Sequence, residues 1–187
     1  MKKSYWFLVA AGILMLSLSI SSCKKDKETD NPNIVYYNSG KTISCISGIG
    51  ASDSVDFNND GLAELMINVI NIGADTGYVI LSSATQQSGY ALASLVPAPI
   101  AKLYAAGETA PLSSATYYPT AYSTFKVSGY REGLLSGEAY IAFRFTTGSK
   151  FNYGWAKVSV NSSLTEFKLI EYAYNLIPDQ TIEVGAK

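Results

Sequence analysis

The sequence predicts an all-β fold, a single β-sandwich or jelly-roll-like domain, and three observations lead there. Short runs rich in Val, Ile, Tyr, Phe and Thr recur from Ile34 onward, set apart by Gly, Ser, Asn or Asp. Two of these runs alternate strictly. Ile141, Phe143 and Phe145 share one face against Tyr140, Ala142 and Arg144, and Ala156, Val158 and Val160 alternate with Trp155, Lys157 and Ser159. No repeat period and no second shift of composition divides the chain, so one domain is expected over 34–187. Many short strands with turn signals favour a sandwich over a barrel.

Taken in order, residues 1–22 read as a signal peptide. Lys2 and Lys3 precede a mostly apolar run from Tyr5 to Ile20, and Ser21-Ser22-Cys23 follows. The run is shorter than the roughly 20 residues of a spanning helix, which favours cleavage over a permanent anchor. Ile20-Ser21-Ser22-Cys23 resembles the lipobox of bacterial lipoproteins, in which a small residue precedes a cysteine that is lipidated and becomes the mature first residue. The resemblance implies a fatty acyl chain such as palmitate on Cys23 and attachment to a membrane of the Gram-negative cell envelope, the outer membrane above all. Residues 23–33, with "KKDKETDNPN" from Lys24 to Asn33, are charged, poor in large apolar groups and read as a flexible tether. Charges directly after the lipidated cysteine resemble an export signal to the cell surface in some Gram-negative lineages, although Lys24-Lys25 departs from its acidic form.

The strands expected next are "IVYYN", "KTISCIS", "AELMINVIN", "TGYVILSSA", "TFKVSGY", "EAYIAFRFTT", "YGWAKVSV", "TEFKLIEYAY" and "TIEVG". Ser88 to Pro99 is rich in helix formers and is expected to hold a short helix or turn ended by Pro97. Ala105 to Tyr122, with few charges and two prolines, is expected to be an irregular excursion with one strand in it. Trp155, Phe143, Phe145, Ile141 and Val158 are the expected core.

Composition excludes several chemistries. The 187 residues include no histidine, so Ser-His-Asp, Cys-His and histidine-dependent zinc sites are ruled out. Two cysteines do not make a four-cysteine site, and no GxxxxGK[ST] loop occurs. Formal net charge is -1, and without Lys2 and Lys3 the 14 basic residues fall to 12 against 15 acidic ones. Basic side chains are scattered, so nucleic acid is not an expected partner. With Cys23 lipidated, Cys45 has no disulfide partner, and its strand parity with Ile43 predicts a buried, inert thiol.

The stretch "SVDFNNDGLAEL" has the spacing of a calcium loop. Counting Asp56 as the first position puts Asn58 third, Asp60 fifth, Gly61 sixth, Leu62 seventh and Glu64 ninth. These are side-chain oxygens, a turn-making glycine, a backbone carbonyl and a further carboxylate, the oxygen set a hard cation takes. The loop resembles the DxDxDG loops of dockerins and integrin-type propeller repeats. It is not an EF-hand, because the twelfth position is Ile67 and both flanks look like strands. The competing reading is a hairpin turn closed by Asn59, Asp60 and Gly61, residues that tolerate positive φ and cap their own backbone. Structural Ca2+ is the one cofactor expected.

Other candidate sites are weaker in pattern. Tyr117, Tyr118 and Tyr122 in "TYYPTAY" could line a platform for a carbohydrate or protein ligand. Asp53-Ser54-Val55 resembles the short O-glycosylation sequon of some Gram-negative periplasmic proteins, with Ser54 as acceptor. Together "VDFNNDGLAELMINV", "YIAFRF", "YGWAKVSV" and "IEYAYN" with "TIEVG" resemble a group of exported bacterial β-sandwich proteins with an NNDG loop and a YGW strand. That resemblance implies the fold and no activity; Asn175 stands where the group has Glu. The expected function is a lipid-anchored, non-catalytic binding or structural module. The alternative is a two-carboxylate glycoside hydrolase, with Glu108, Glu132, Glu138, Glu166, Glu171, Asp179 and Glu183 as the acidic candidates.

Overall fold

The computed structural model describes residues 31–73, 76–83, 89–94, 100–112, 117–127, 130–134 and 136–187. Segment 1–22, Cys23 and most of the tether lie outside the described residues. Among those described there is no helix. The strands are β1 (Ile34–Ser44), β2 (Ala51–Val55), β3 (Leu65–Gly73), β4 (Thr76–Ser83), β5 (Gly89–Ser94), β6 (Ile100–Ala101), β7 (Leu103–Tyr104), β8 (Tyr117–Tyr118), β9 (Thr120–Val127), β10 (Tyr130–Gly133), β11 (Gly137–Thr147), β12 (Lys150–Val160) and β13 (Glu166–Asn175).

They form two sheets. The first runs β1-β13-β12-β11, with β5 and β7 beside β11 and β8 beside β5. The second runs β2-β3-β4-β9, with β10 and β6 beside β9. Pairing is antiparallel except between β6 and β9, and β5 joins the sheets by pairing with both β11 and β6. The all-β, sandwich-like fold expected of the sequence is the one observed.

The main core lies between the sheets. Ile67, Val69, Val79 and Leu81 from the second sheet meet Phe143, Val158, Phe167 and Leu169 from the first. Alternation along β11 and β12 is as expected, with Ile141, Phe143, Phe145, Ala156 and Val158 turned into this core. Gly154 explains the middle letter of "YGW". A Cβ there would lie 2.4 Å from Phe143 Cζ and 2.6 Å from the Ala173 carbonyl oxygen, so only glycine lets the Phe143 ring lie across the strand.

The opposite face of the first sheet is also covered. Trp155, Ala142, Ala173 and Tyr153 form a second core with Tyr104, Ala110, Tyr117, Ile182 and Val184. The cover is a ribbon of two segments: Ala110 N–H donates to Ile182 O, Val184 N–H to Glu108 O and Gly107 N–H to Val184 O. Trp155 Nε1 donates to Ala186 O at 3.2 Å, so the indole is buried on its polar edge as well.

Several expectations change. Ala105 to Tyr122 holds β8 and the start of β9, two strands rather than one, and "TFKVSGY" is divided between the paired strands β9 and β10. "IVYYN" and "KTISCIS" are one strand, β1, irregular between Asn38 and Lys41, where Gly40 takes φ 59°. The helix formers at 89–94 lie in β5, because pairing with β11, β6 and β8 outweighs local propensity. "TIEVG" is no strand; it contributes the isolated bridge between Glu183 and Thr109 and then turns at Gly185. Cys45 is a free thiol but half-buried, packed at the edge of the main core rather than inside it.

Candidate metal centre

Residues 56–64 connect β2 to β3, and the register pairs Val55 with Leu65 at their base. The Glu64 N–H donates to Val55 O at 3.0 Å, which closes the loop. Val55 and Leu65 are both buried, so alternation sends Phe57 back into the core and leaves Asp56 half-buried at the rim.

Asp56 organises the turn. Its Oδ1 accepts the N–H groups of Asn59 at 2.6 Å and Asp60 at 3.3 Å, and its Oδ2 accepts that of Gly61 at 2.8 Å. Asp60 Oδ1 accepts the Leu62 N–H at 2.8 Å, while Asn58 Oδ1 accepts the Asp60 N–H at 2.9 Å and Asn58 Nδ2 donates to Asp60 Oδ2 at 3.0 Å. Asn59 sits at φ 60° and Gly61 at φ 90°, the left-handed geometry that Asn and Gly tolerate. The hairpin-turn reading and the ligand-loop reading are therefore the same geometry seen twice: the turn that caps the backbone also gathers the acidic groups.

Three of them converge. Asp56, Asp60 and Glu64 each offer a carboxylate oxygen within 4.8 Å of the others, a set that could hold a metal ion. Glu64 is buried, and its Oε2 accepts the Phe57 N–H at 2.6 Å. Burial pushes its carboxyl up to about 7; the Phe57 N–H opposes this, and the charges of Asp56 and Asp60 add to it. Like charges packed this closely repel, and a bound cation removes that repulsion. Of the other expected ligands, Asn58 has its side chain committed to Asp60, and Leu62 turns its side chain to solvent. Ile67, at the position an EF-hand would fill with glutamate, is fully buried in the main core.

Phe57 is the residue of this loop that the motif did not single out. Its ring stacks on Phe143 at 4.0 Å and meets Tyr172 edge-on at 4.8 Å, so the loop hangs from the core by an aromatic pin. The parity of Val55 and Phe57 in "SVDF" is the signal that carries it.

The remaining candidates separate. Tyr117 is buried in the second core and its hydroxyl donates to Pro111 O at 2.9 Å. Tyr118 lies on β8 and Tyr122 on β9; their side chains lie outside the described residues. Ser54 is exposed on β2, next to an Asp53 carboxylate that pairs with Lys41 at 3.0 Å. The hydrogen bond from Lys41 and that from the Ser54 N–H hold the Asp53 carboxyl below its usual range. Glu138 pairs with Lys157 at 2.6 Å, Glu171 with Lys187 at 2.8 Å and with the Tyr36 hydroxyl, and Glu108 accepts the Ala105 N–H at 2.6 Å. Asp179 accepts the Phe151 N–H at 3.1 Å, and the Glu132 side chain lies outside the described residues.

No family model matches the chain, and comparison with curated proteins and with solved structures finds no match.

Proposed function

We propose that this chain is a lipid-anchored, non-catalytic binding or structural module of the Gram-negative cell envelope, with a structural calcium ion held by the 56–64 loop. The observation that carries the calcium reading is the convergence of Asp56, Asp60 and Glu64 within 4.8 Å on a loop whose backbone N–H groups already hold all three carboxylates. Water and backbone carbonyls would complete a coordination shell of hard oxygens. An ion there stiffens the link between β2 and β3 and does no chemistry.

The anchoring rests on Lys2, Lys3, the apolar run and Ile20-Ser21-Ser22-Cys23. The non-catalytic reading is supported by the engagement of Glu108, Glu138, Glu171 and Asp179 in local pairs and caps. The ligand of such a module is a carbohydrate or a protein at the cell surface.

The test of the ion is a pair of melting curves, in millimolar calcium and in chelator, on the wild type and Asp60→Ala. A higher melting temperature with calcium, lost in Asp60→Ala, is expected; identical curves would leave a turn and nothing more. Cys23→Ser should abolish labelling by radioactive palmitate and release the chain from membranes. Glycan hydrolysis that disappears when a carboxylate is replaced would overturn the non-catalytic reading.

A further inference from the structure

The two sheets differ in what lies on their outer faces. The first carries the ribbon of 105–110 and 182–186 over its second core. The second has no such cover among the described residues. Ile67 and Val69 of β3 and Val79 and Leu81 of β4 point into the main core, so alternation turns Met66, Asn68, Ile70 and Ile72 outward on β3, and Tyr78 and Ile80 outward on β4. The register seats Ile80 across from Asn68 and Tyr78 across from Ile70. On the other side, Ser52 and Ser54 of β2 continue the rows of Asn68 and Met66. Met66 is 42% and Ile72 62% exposed.

This face is apolar and free of charge. No outward position of β2, β3 or β4 holds Asp, Glu, Lys or Arg, whereas the first sheet bears ion pairs between Lys157 and Glu138 and between Lys187 and Glu171. Interspersed charge is what ordinarily keeps a solvated surface from associating. At the end of β3 the apolar surface continues onto a fixed turn, where the Gly48 N–H donates to Asn71 O at 2.7 Å and the bridged residues Ile46 and Ile49 are both largely exposed. Apolar side chains held out to water on an ordered backbone mark a docking surface.

We propose that this outer face of the second sheet packs against the same face of a second copy of the chain, as a two-fold symmetric dimer. Such symmetry brings one patch against itself, so a single charge there would be present twice and left without a partner; an uncharged face carries no such penalty. Aliphatic side chains interdigitate with others of their kind, as between packed sheets. A sugar stacks instead on ring faces, and of the six outward side chains named on β3 and β4 only Tyr78 is a ring. No Lys or Arg stands there to meet anionic lipid headgroups. The nine residues of β3, with β2, β4 and β9 beside it, give a face of roughly 30 by 20 Å, which side-chain relief brings near the ~800 Å² that each partner gives to a stable interface. The inference goes beyond the reading of the chain as a binding module, and it holds with the calcium loop filled or empty.

The test is sedimentation equilibrium of the full chain in a detergent matched to the density of the solvent. A dimer is expected below ~100 µM protein, and Met66→Lys and Ile72→Lys should each raise its dissociation constant ~10-fold or more. Both side chains are exposed, so circular dichroism should show an unchanged fold. Met66→Ser, which adds no charge, should weaken the dimer less than Met66→Lys. Leu176→Lys, in the loop after β13, should leave it intact. A wild type that stays monomeric at ~100 µM overturns the proposal. So does a dimer that both lysine variants leave unchanged, or that Leu176→Lys weakens as much. A monomeric wild type slowed in a native gel by a neutral glucan, with the slowing lost in Met66→Lys, would assign the face to carbohydrate and overturn it as well.

Discussion

The ring of Phe57, in the loop after β2, lies parallel to that of Phe143 on β11, with centroids 4.0 Å apart and planes inclined by 9°. One ring thus ties the candidate metal loop to the opposite sheet. Phe57→Ala should destabilise the fold by about 3–5 kcal/mol, the range for removing a large buried aromatic, and Phe57→Leu by less. Urea denaturation followed by tryptophan fluorescence measures both. A cost near zero would mean that the loop is not pinned.

Gly154 sits under the same Phe143 ring. Gly154→Ala places a methyl where the ring and the Ala173 carbonyl already stand, so a loss of about 1–3 kcal/mol or more is expected from overpacking. Pairing it with Phe143→Leu should recover part of the loss. Additive effects of the two substitutions would refute the clash.

The Glu64 carboxyl gives a pH signature in metal-free protein. The folded state holds its proton up to about pH 7, whereas an unfolded chain releases it near 4.5. Its stabilising contribution is therefore complete below 4.5 and lost as pH rises through 7. Glu64→Gln should flatten the stability curve across that window, as read from urea midpoints at a series of pH values; an unchanged slope would assign the effect elsewhere.

Glu171 behaves in the opposite sense. Burial raises its carboxyl, but hydrogen bonds from Lys187 and Tyr36 together outweigh that and hold it below its usual range. Its contribution is present above 4.5 and lost as pH falls through the lower folded value. Lys187→Met should remove part of the acid sensitivity of melting, while leaving melting temperatures at pH 8 lower by a small margin. Retained acid sensitivity would show that the pair is not the cause.

Much of this was legible in the sequence because strand periodicity is a local property. Ile141, Phe143 and Phe145 point one way, and a period of two says so without tertiary context. What covers the other face is not local. Ala142 and Arg144 read as the solvent side of a half-buried strand, yet Ala142 packs in a second core with residues of the 105–110 and 182–186 ribbon and Arg144 is buried beside Tyr117 and Phe151. The helix formers of 89–94 misled for the same reason, since neighbours distant in sequence decide that strand. The loop was legible in part: spacing located Asp56, Asp60 and Glu64, while the burial of Glu64 depends on where Phe57 is held.

The position of β13 has a consequence for how the molecule is made. It lies between β1 and β12, so the first strand of the domain has the last one as its partner. A chain emerging amino end first leaves β1 an open edge until Glu166–Asn175 arrives, and closure waits for nearly the whole domain. Such an edge invites pairing with other copies of itself during that interval. A chain cut before Glu166 would lose the middle of a sheet, not its rim.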